Sequence, residues 1–149
     1  MAYEFKMTGQ VQFVDTDLAG IVHFTNFFRY LEGAEHAFYR SLGFSIHSPG
    51  SPRTLGLPRV AVACKYRAPL YFEDRFETHL LVREIREKTI SYVCYFRRLL
   101  GESSPIVART ELTIACVAIE NGQARMKGIA IPKSLSDQLE SAPAELLND

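Results

Sequence analysis

The sequence predicts an α+β domain: one long helix lying across an antiparallel sheet of five or six strands. Three observations carry this. The apolar period changes from strand to helix and back, only one segment has the length of a long helix, and the later strands are joined by turns too short for parallel crossovers. In Met7 to Val14, Val11 and Phe13 alternate with Gln10 and Gln12, the pattern of a short strand with one buried face. A polar, glycine-containing segment runs from Asp15 to Gly20. Phe27, Tyr30, Leu31, Ala34 and Phe38 then form one apolar stripe, predicting a helix from about Asn26 to Leu42. Thr25 or Asn26 is placed to cap its start, and Gly43 follows its last turn as a stop signal. Gly33 in mid-helix costs on the order of 1 kcal/mol against alanine, which predicts that something packs close to the helix there. Residues 45–59 read as one turn-rich connection. Alternation resumes in Val60 to Tyr66, Phe76 to Val82 and Ile90 to Phe96. A long strand from Ile106 to Glu120 ends in Asn121-Gly122, a strong hairpin signal, and Met126 to Ile131 leads back. Pro132 closes the sheet, and Leu135 to Leu147 reads as a short terminal helix around Pro143. Such a sheet must bury one face, and curving around the single helix achieves that. Its long edge strands call for a second subunit to cover them.

Composition narrows the function classes. The chain has 149 residues, 47% of them hydrophobic, which suits one domain with a sizeable core. We take residues 1–149 as that domain, with a core of about 5–132 and a tail over 133–149. Seventeen basic residues balance 17 acidic ones, which argues against binding nucleic acid through bulk positive charge. No apolar run approaches the ~20 residues of a membrane span, so no membrane partner is expected. The first residues lack a hydrophobic signal core, and a cytoplasmic location is expected. Cys64, Cys94 and Cys116 are odd in number, widely spaced and set in apolar stretches, so they read as reduced core residues. His23 lies in the polar segment, His36 off the helix stripe, His47 in the long connection, and His79 on the far face of its strand. None has zinc-site spacing to another, and there is neither a nucleophile elbow nor a P-loop. No metal and no cofactor is expected.

The segment between the first strand and the helix holds the best candidate chemistry. Asp15-Thr16-Asp17-Leu18-Ala19-Gly20 sets carboxylates a few residues before a helix N-terminus, whose first N–H groups lack intrahelical partners and carry the positive dipole end. Aimed at a carbonyl oxygen, such groups stabilise an oxyanion. A carboxylate alongside can attack the carbonyl carbon or activate water. Together these parts suit acyl transfer. Spacing alone leaves open whether the two aspartates do chemistry or end a strand and cap a turn.

The stretch from Val11 to Gly43 resembles the signature of the 4-hydroxybenzoyl-CoA thioesterase family of hotdog-fold enzymes. The likeness lies in Asp15-Thr16-Asp17, Ala19-Gly20-Ile21-Val22, Asn26-Phe27 and the aromatic helix that follows. A second block, Tyr66 to Asp74, resembles the segment entering that family's third strand. The likeness covers residues 5 to about 132. It implies a catalytic role for Asp17 and a carbonyl-polarising role for the Phe24 backbone N–H, with Asp15 structural. It also implies a substrate pocket with Gly20, His23 and Phe27, and binding of coenzyme A phosphates by Arg86, Lys88 and Thr89 at a hairpin. Glu87 departs from this pattern, standing where some relatives carry another cation.

The expected function is therefore an acyl-CoA thioesterase acting on an aromatic or aliphatic acyl group. Asp17 would serve as general base toward water or as nucleophile forming a mixed anhydride. The expected partner is a coenzyme A thioester, with acyl carrier protein as another possible donor. The expected assembly is a homodimer or homotetramer with edge strands paired into one sheet and pocket walls from two chains, Asp17 and the central helix from one and residues around Val60 to Tyr66 partly from the other. Two other functions compete. A hotdog dehydratase would need a Pro/Gly-rich run after His23-Phe24, where this chain has Thr25-Asn26-Phe27. A non-catalytic acyl-CoA or acyl-carrier-protein binding module would not need the Asp17 that this chain keeps.

Overall fold

A computed structural model describes residues 1–46, 53–120 and 127–148. The predicted hairpin at Asn121-Gly122, Met126 and His47 lie outside the described residues. The main sheet has five antiparallel strands: β1 (Glu4–Gln10), β3 (Arg59–Tyr66), β4 (Arg75–Ile85), β5 (Thr89–Arg98) and β6 (Ile106–Ala115). Their order across the sheet is β1-β4-β5-β6-β3. The long helix, α1 (Asn26–Ser41), crosses the inner face. There Phe27, Leu31 and Phe38 meet Phe76, Leu80 and Val82 of β4, Tyr92 and Phe96 of β5, and Leu112 of β6. This is the helix-in-sheet arrangement that the hotdog resemblance implied. Gly43, at φ +74°, ends the helix as expected.

Several boundaries differ from the sequence reading, each for a local reason. The first strand is Glu4–Gln10, earlier than Met7 to Val14. The Gln12 N–H donates to the Asp15 carboxylate at 2.9 Å, which turns residues 13–15 out of the sheet as a single 3-10 turn. The long strand expected up to Glu120 breaks at Cys116. Its last partner in β5 is Thr89, opposite Ala115. The Cys116 N–H then donates to Lys88 O, and its carbonyl accepts the Ile129 N–H. Beyond the break β7 (Val117–Glu120) joins a second sheet with β2 (Arg53–Gly56) and β8 (Lys127–Gly128), so the 45–59 connection also contains a strand. The terminal helix is two short ones, α2 (Lys133–Ser136) and α3 (Ala144–Leu147). This segment is no loose tail: Leu135 and Leu139 join the main core. Ala142, Leu146 and Leu147 pack on Leu81, Val93 and Tyr95 across the outer face.

Gly33 is a correction. Among the described residues, nothing beyond its own stretch of helix lies within 4 Å of where its Cβ would be. It borders a cavity of about 310 Å³ between α1 and β1, floored by Tyr30 and Phe76.

His79 sits on the outer face, as alternation predicts, and is only 4% exposed. Its Nδ1 accepts from Arg97 at 3.0 Å, so its Nε2–H donates to Glu4, 2.6 Å away. Lys6 lies opposite it on β1, Tyr95 opposite it on β5, and Glu77 pairs with Arg97. Burial, together with the Lys6 and Arg97 charges, outweighs Glu4 and holds the imidazole pKa below its ordinary value. The unfolded chain therefore takes up this proton first, and stability falls as pH drops below about 6.5. His79→Gln should flatten that part of the profile, measured by urea unfolding at a series of pH values between 7.5 and 5.

Candidate active site

The Asp17 turn is built by its own backbone. The Asp17 N–H donates to Ile21 O, the Gly20 N–H donates to Asp17 O, and the Ala19 N–H donates to Asp17 Oδ1, each at 2.9 Å. Gly20 sits at φ +81°, a conformation that costs little only without a side chain. The loop is pinned to the segment before β4, because the Val22 N–H donates to Leu70 O at 2.8 Å and Ile21 pairs with Tyr71. Asp17 itself is exposed.

Asp15 is the opposite case. It is 2% exposed, and its carboxylate accepts from the Gln12 N–H, the Tyr30 hydroxyl and the Arg29 guanidinium. Its carbonyl accepts the His23 N–H at 2.9 Å and the Asn26 side-chain amide at 2.7 Å. These bonds tie the turn to the start of α1, which is a structural role. The neighbouring hydroxyl of Tyr30 is raised well above the usual range, first by burial and then by Asp15, so it stays a donor.

Neither expected cap performs that task. Thr25 precedes the helix in helical geometry without a side-chain cap bond, and its hydroxyl lies 2.6 Å from His23 Nδ1. The Asn26 side chain serves Asp15. Among the described residues no acceptor meets the Phe24 N–H, which lies in the turn just before α1. The Phe24 carbonyl accepts the Tyr66 hydroxyl at 3.0 Å, and the two rings meet edge to face. Asp17, Gly20, His23 and Phe24 thus share one exposed loop. Phe27 lies beneath that loop, not beside it: it is 3% exposed, against Phe96, Tyr30 and Tyr66.

Arg86, Lys88 and Thr89 are not brought to this loop. They form the β4–β5 turn, where the Arg86 N–H donates to Thr89 O and the exposed Arg86 guanidinium pairs with Glu84. β4 begins at Arg75, opposite Gln10 near the Asp17 end, and runs 11 residues to Ile85. At about 3.4 Å per residue the turn lies roughly 35 Å along the sheet.

Two features differ from the sequence reading or lie beyond it. Tyr66, expected with its strand to line the pocket partly from the other chain, reaches Phe24 of its own chain. Glu35 is wholly buried in α1. It follows Leu31 by four residues and precedes Phe38 by three, the spacing of the buried face, so the signal was present. Among the described residues no cluster of three His, Cys, Asp or Glu could hold a metal ion, and no helix is long and apolar enough to cross a membrane. None of the three cysteines forms a disulfide, and burial pushes the Cys94 thiol far above its usual range.

The model of the thioesterase-like superfamily matches residues 11–143. A putative esterase of Aquifex aeolicus is 36% identical over 132 residues, covering 87% of this chain and 93% of its own length. A 1,4-dihydroxy-2-naphthoyl-CoA hydrolase of a Synechocystis species is 26% identical, over 77% of this chain and 82% of its own. The structure of 4-hydroxybenzoyl-CoA thioesterase from a Pseudomonas species superposes with a TM-score of 0.73 at 21% identity, covering 88% of this chain and 95% of that one.

Proposed function

Because the chain belongs to the thioesterase-like superfamily, we propose that it hydrolyses acyl-CoA thioesters at the loop holding Asp17 and Phe24. One observation carries the reading: a hydrogen-bonded turn holds an exposed carboxylate on the same loop as a backbone N–H that has no acceptor among the described residues. The Phe24 N–H and the positive end of α1 would stabilise the oxyanion as the thioester carbonyl becomes tetrahedral. Asp17 would take a proton from water as it attacks, or would itself attack and form an anhydride that water then opens. Either route breaks the C–S bond and yields a carboxylate and a free thiol. Relatives named for 1,4-dihydroxy-2-naphthoyl-CoA and 4-hydroxybenzoyl-CoA favour an aromatic acyl group.

The site calls for a second copy of the chain. β3 is a sheet edge, with Val60 58%, Val62 49% and Tyr66 44% exposed. Antiparallel pairing of β3 with its copy about a two-fold axis would bring the Tyr66 end of one chain beside the partner's Arg59 end. In each chain the Arg59 end is also the end of the β4–β5 turn, since Arg59 pairs with Ile114 and Thr89 with Ala115. The partner's Arg86, Lys88 and Thr89 would then lie about three strand spacings away, roughly 15 Å at about 4.8 Å each. That is a span for the long arm of coenzyme A, and it reconciles a catalytic loop and a phosphate site at opposite ends of one chain. Acyl carrier protein presents the same arm.

The deciding assay follows free thiol from benzoyl-, 4-hydroxybenzoyl- and medium-chain acyl-CoA. Steady turnover of at least one is expected, and none across the panel overturns the reading. Changing Arg86 and Lys88 together to alanine should raise KM for CoA esters several-fold with kcat little changed. A remote phosphate is held equally in ground and transition states. Acyl-pantetheine esters, which lack that phosphate, should be indifferent to the change. Sedimentation at micromolar concentration should show a dimer or tetramer.

A further inference from the structure

We propose, resting on the Phe24 reading above, that Tyr66 is a positioning residue: its hydroxyl orients the Phe24 amide toward the thioester carbonyl. An amide polarises a carbonyl only while its N–H is aimed, and aim is set by the two peptide planes that meet at the Phe24 Cα. The plane carrying the Phe24 N–H also carries the His23 carbonyl, which accepts the Asn26 N–H at 2.9 Å. The following plane carries the Phe24 carbonyl, and there the Tyr66 hydroxyl donates at 3.0 Å. One plane is therefore held from within the helix start and the other from across the fold, by β3. The Tyr66 ring is itself held by edge-to-face contacts with Phe24 at 6.4 Å and Phe27 at 5.4 Å, so the hydroxyl arrives on a rigid support. Burial, with the Cys64 thiol nearby, pushes the Tyr66 hydroxyl up to about 12. It therefore keeps its proton to donate at neutral pH.

The arrangement has an implication for assembly. Tyr66 ends the edge strand proposed to meet the second subunit, so the strand that would be stiffened by pairing is also the one that aims the amide.

Tyr66→Phe keeps the ring and removes the donor. It should lower kcat about tenfold, below the full loss of an oxyanion donor, and leave KM within about twofold. The readout that a merely structural role would not move is spectroscopic. Benzoyl-CoA bound to Asp17→Asn should show its thioester carbonyl infrared band at lower frequency than free benzoyl-CoA. Adding Tyr66→Phe to that protein should return the band toward its free position. A shift that survives Tyr66→Phe, or an unchanged kcat, overturns this inference and leaves the Phe24 reading standing. No shift in Asp17→Asn alone overturns both.

Discussion

Asp17→Asn should all but abolish turnover, with kcat lower by roughly 10²-fold or more, while the fold and acyl-CoA binding persist. The amide is nearly isosteric with the carboxylate. Its oxygen can still accept the Ala19 N–H that closes the turn, so the loop keeps its shape. What disappears is basicity and nucleophilicity. Asp15→Asn should behave differently, because that carboxylate accepts from three donors in a buried site. An amide there presents donors to donors, so the loss appears first in stability. Steady-state kinetics, calorimetric binding of benzoyl-CoA and thermal melts separate the two cases. Near-normal turnover in Asp17→Asn would end the proposed mechanism and direct attention to His23.

Arg59→Ala should be strongly destabilising, costing about 3–5 kcal/mol, because it leaves the buried Glu35 charge without the partly exposed cation that pairs with it. Glu35 is 0% exposed in the middle of α1. Arg59 reaches it from the start of β3 with its two terminal guanidinium nitrogens, at 2.6 and 3.2 Å. The Tyr39 hydroxyl donates to the same carboxylate at 3.0 Å and, with its proton so used, accepts from Tyr92 at 2.9 Å. Burial, with Tyr92 and Glu35 nearby, holds the Tyr39 hydroxyl well above its usual range, so it remains a donor. Without Arg59 the carboxylate stays in the core with the Tyr39 hydroxyl as its close donor and with His36 Nε2 3.9 Å from its Oε1. Adding Glu35→Gln removes the uncompensated charge and should recover part of the loss at pH 7. Urea unfolding of the parent, the single and the double variant tests both statements. A loss below about 1 kcal/mol would show that the pair contributes no more than a surface ion pair.

The parts of this fold that could be read from sequence are those where burial alternates strongly. α1 and the central strands β4 and β5 pack on the core, and their apolar periods say so. β1 was misplaced because an edge strand carries little alternation: Glu4 to Gln10 is mostly exposed. The Val11–Phe13 alternation instead belongs to the exit into the 3-10 turn. The break at Cys116 leaves no trace in an unbroken apolar run, since it comes from β5 ending, a fact about another strand. At the site, Asp17 and Phe24 are neighbours along one loop and were legible together. Tyr66 was not, because its reach to Phe24 depends on where the end of β3 meets the start of α1. Glu35 was passed over because a lone acid reads as solvent-facing until its partner, 24 residues away, is seen.

The two ends of the described chain are stitched together. The Ala2 N–H donates to Gln138 O at 2.8 Å, and the Glu140 N–H donates to Ala2 O at 3.0 Å. The Tyr3 carbonyl accepts the Val82 N–H, whose own carbonyl accepts the Ala142 N–H. During synthesis β1 emerges well before residues 135–142, so these contacts form only after that later segment is made. Through most of synthesis the outer face around Leu81, Val93 and Tyr95 waits bare, a sticky surface for other nascent chains. The contact also spans nearly the whole sequence, which slows closure of the last step. Truncation ahead of residue 135 would therefore act on the yield of soluble protein before it acted on chemistry.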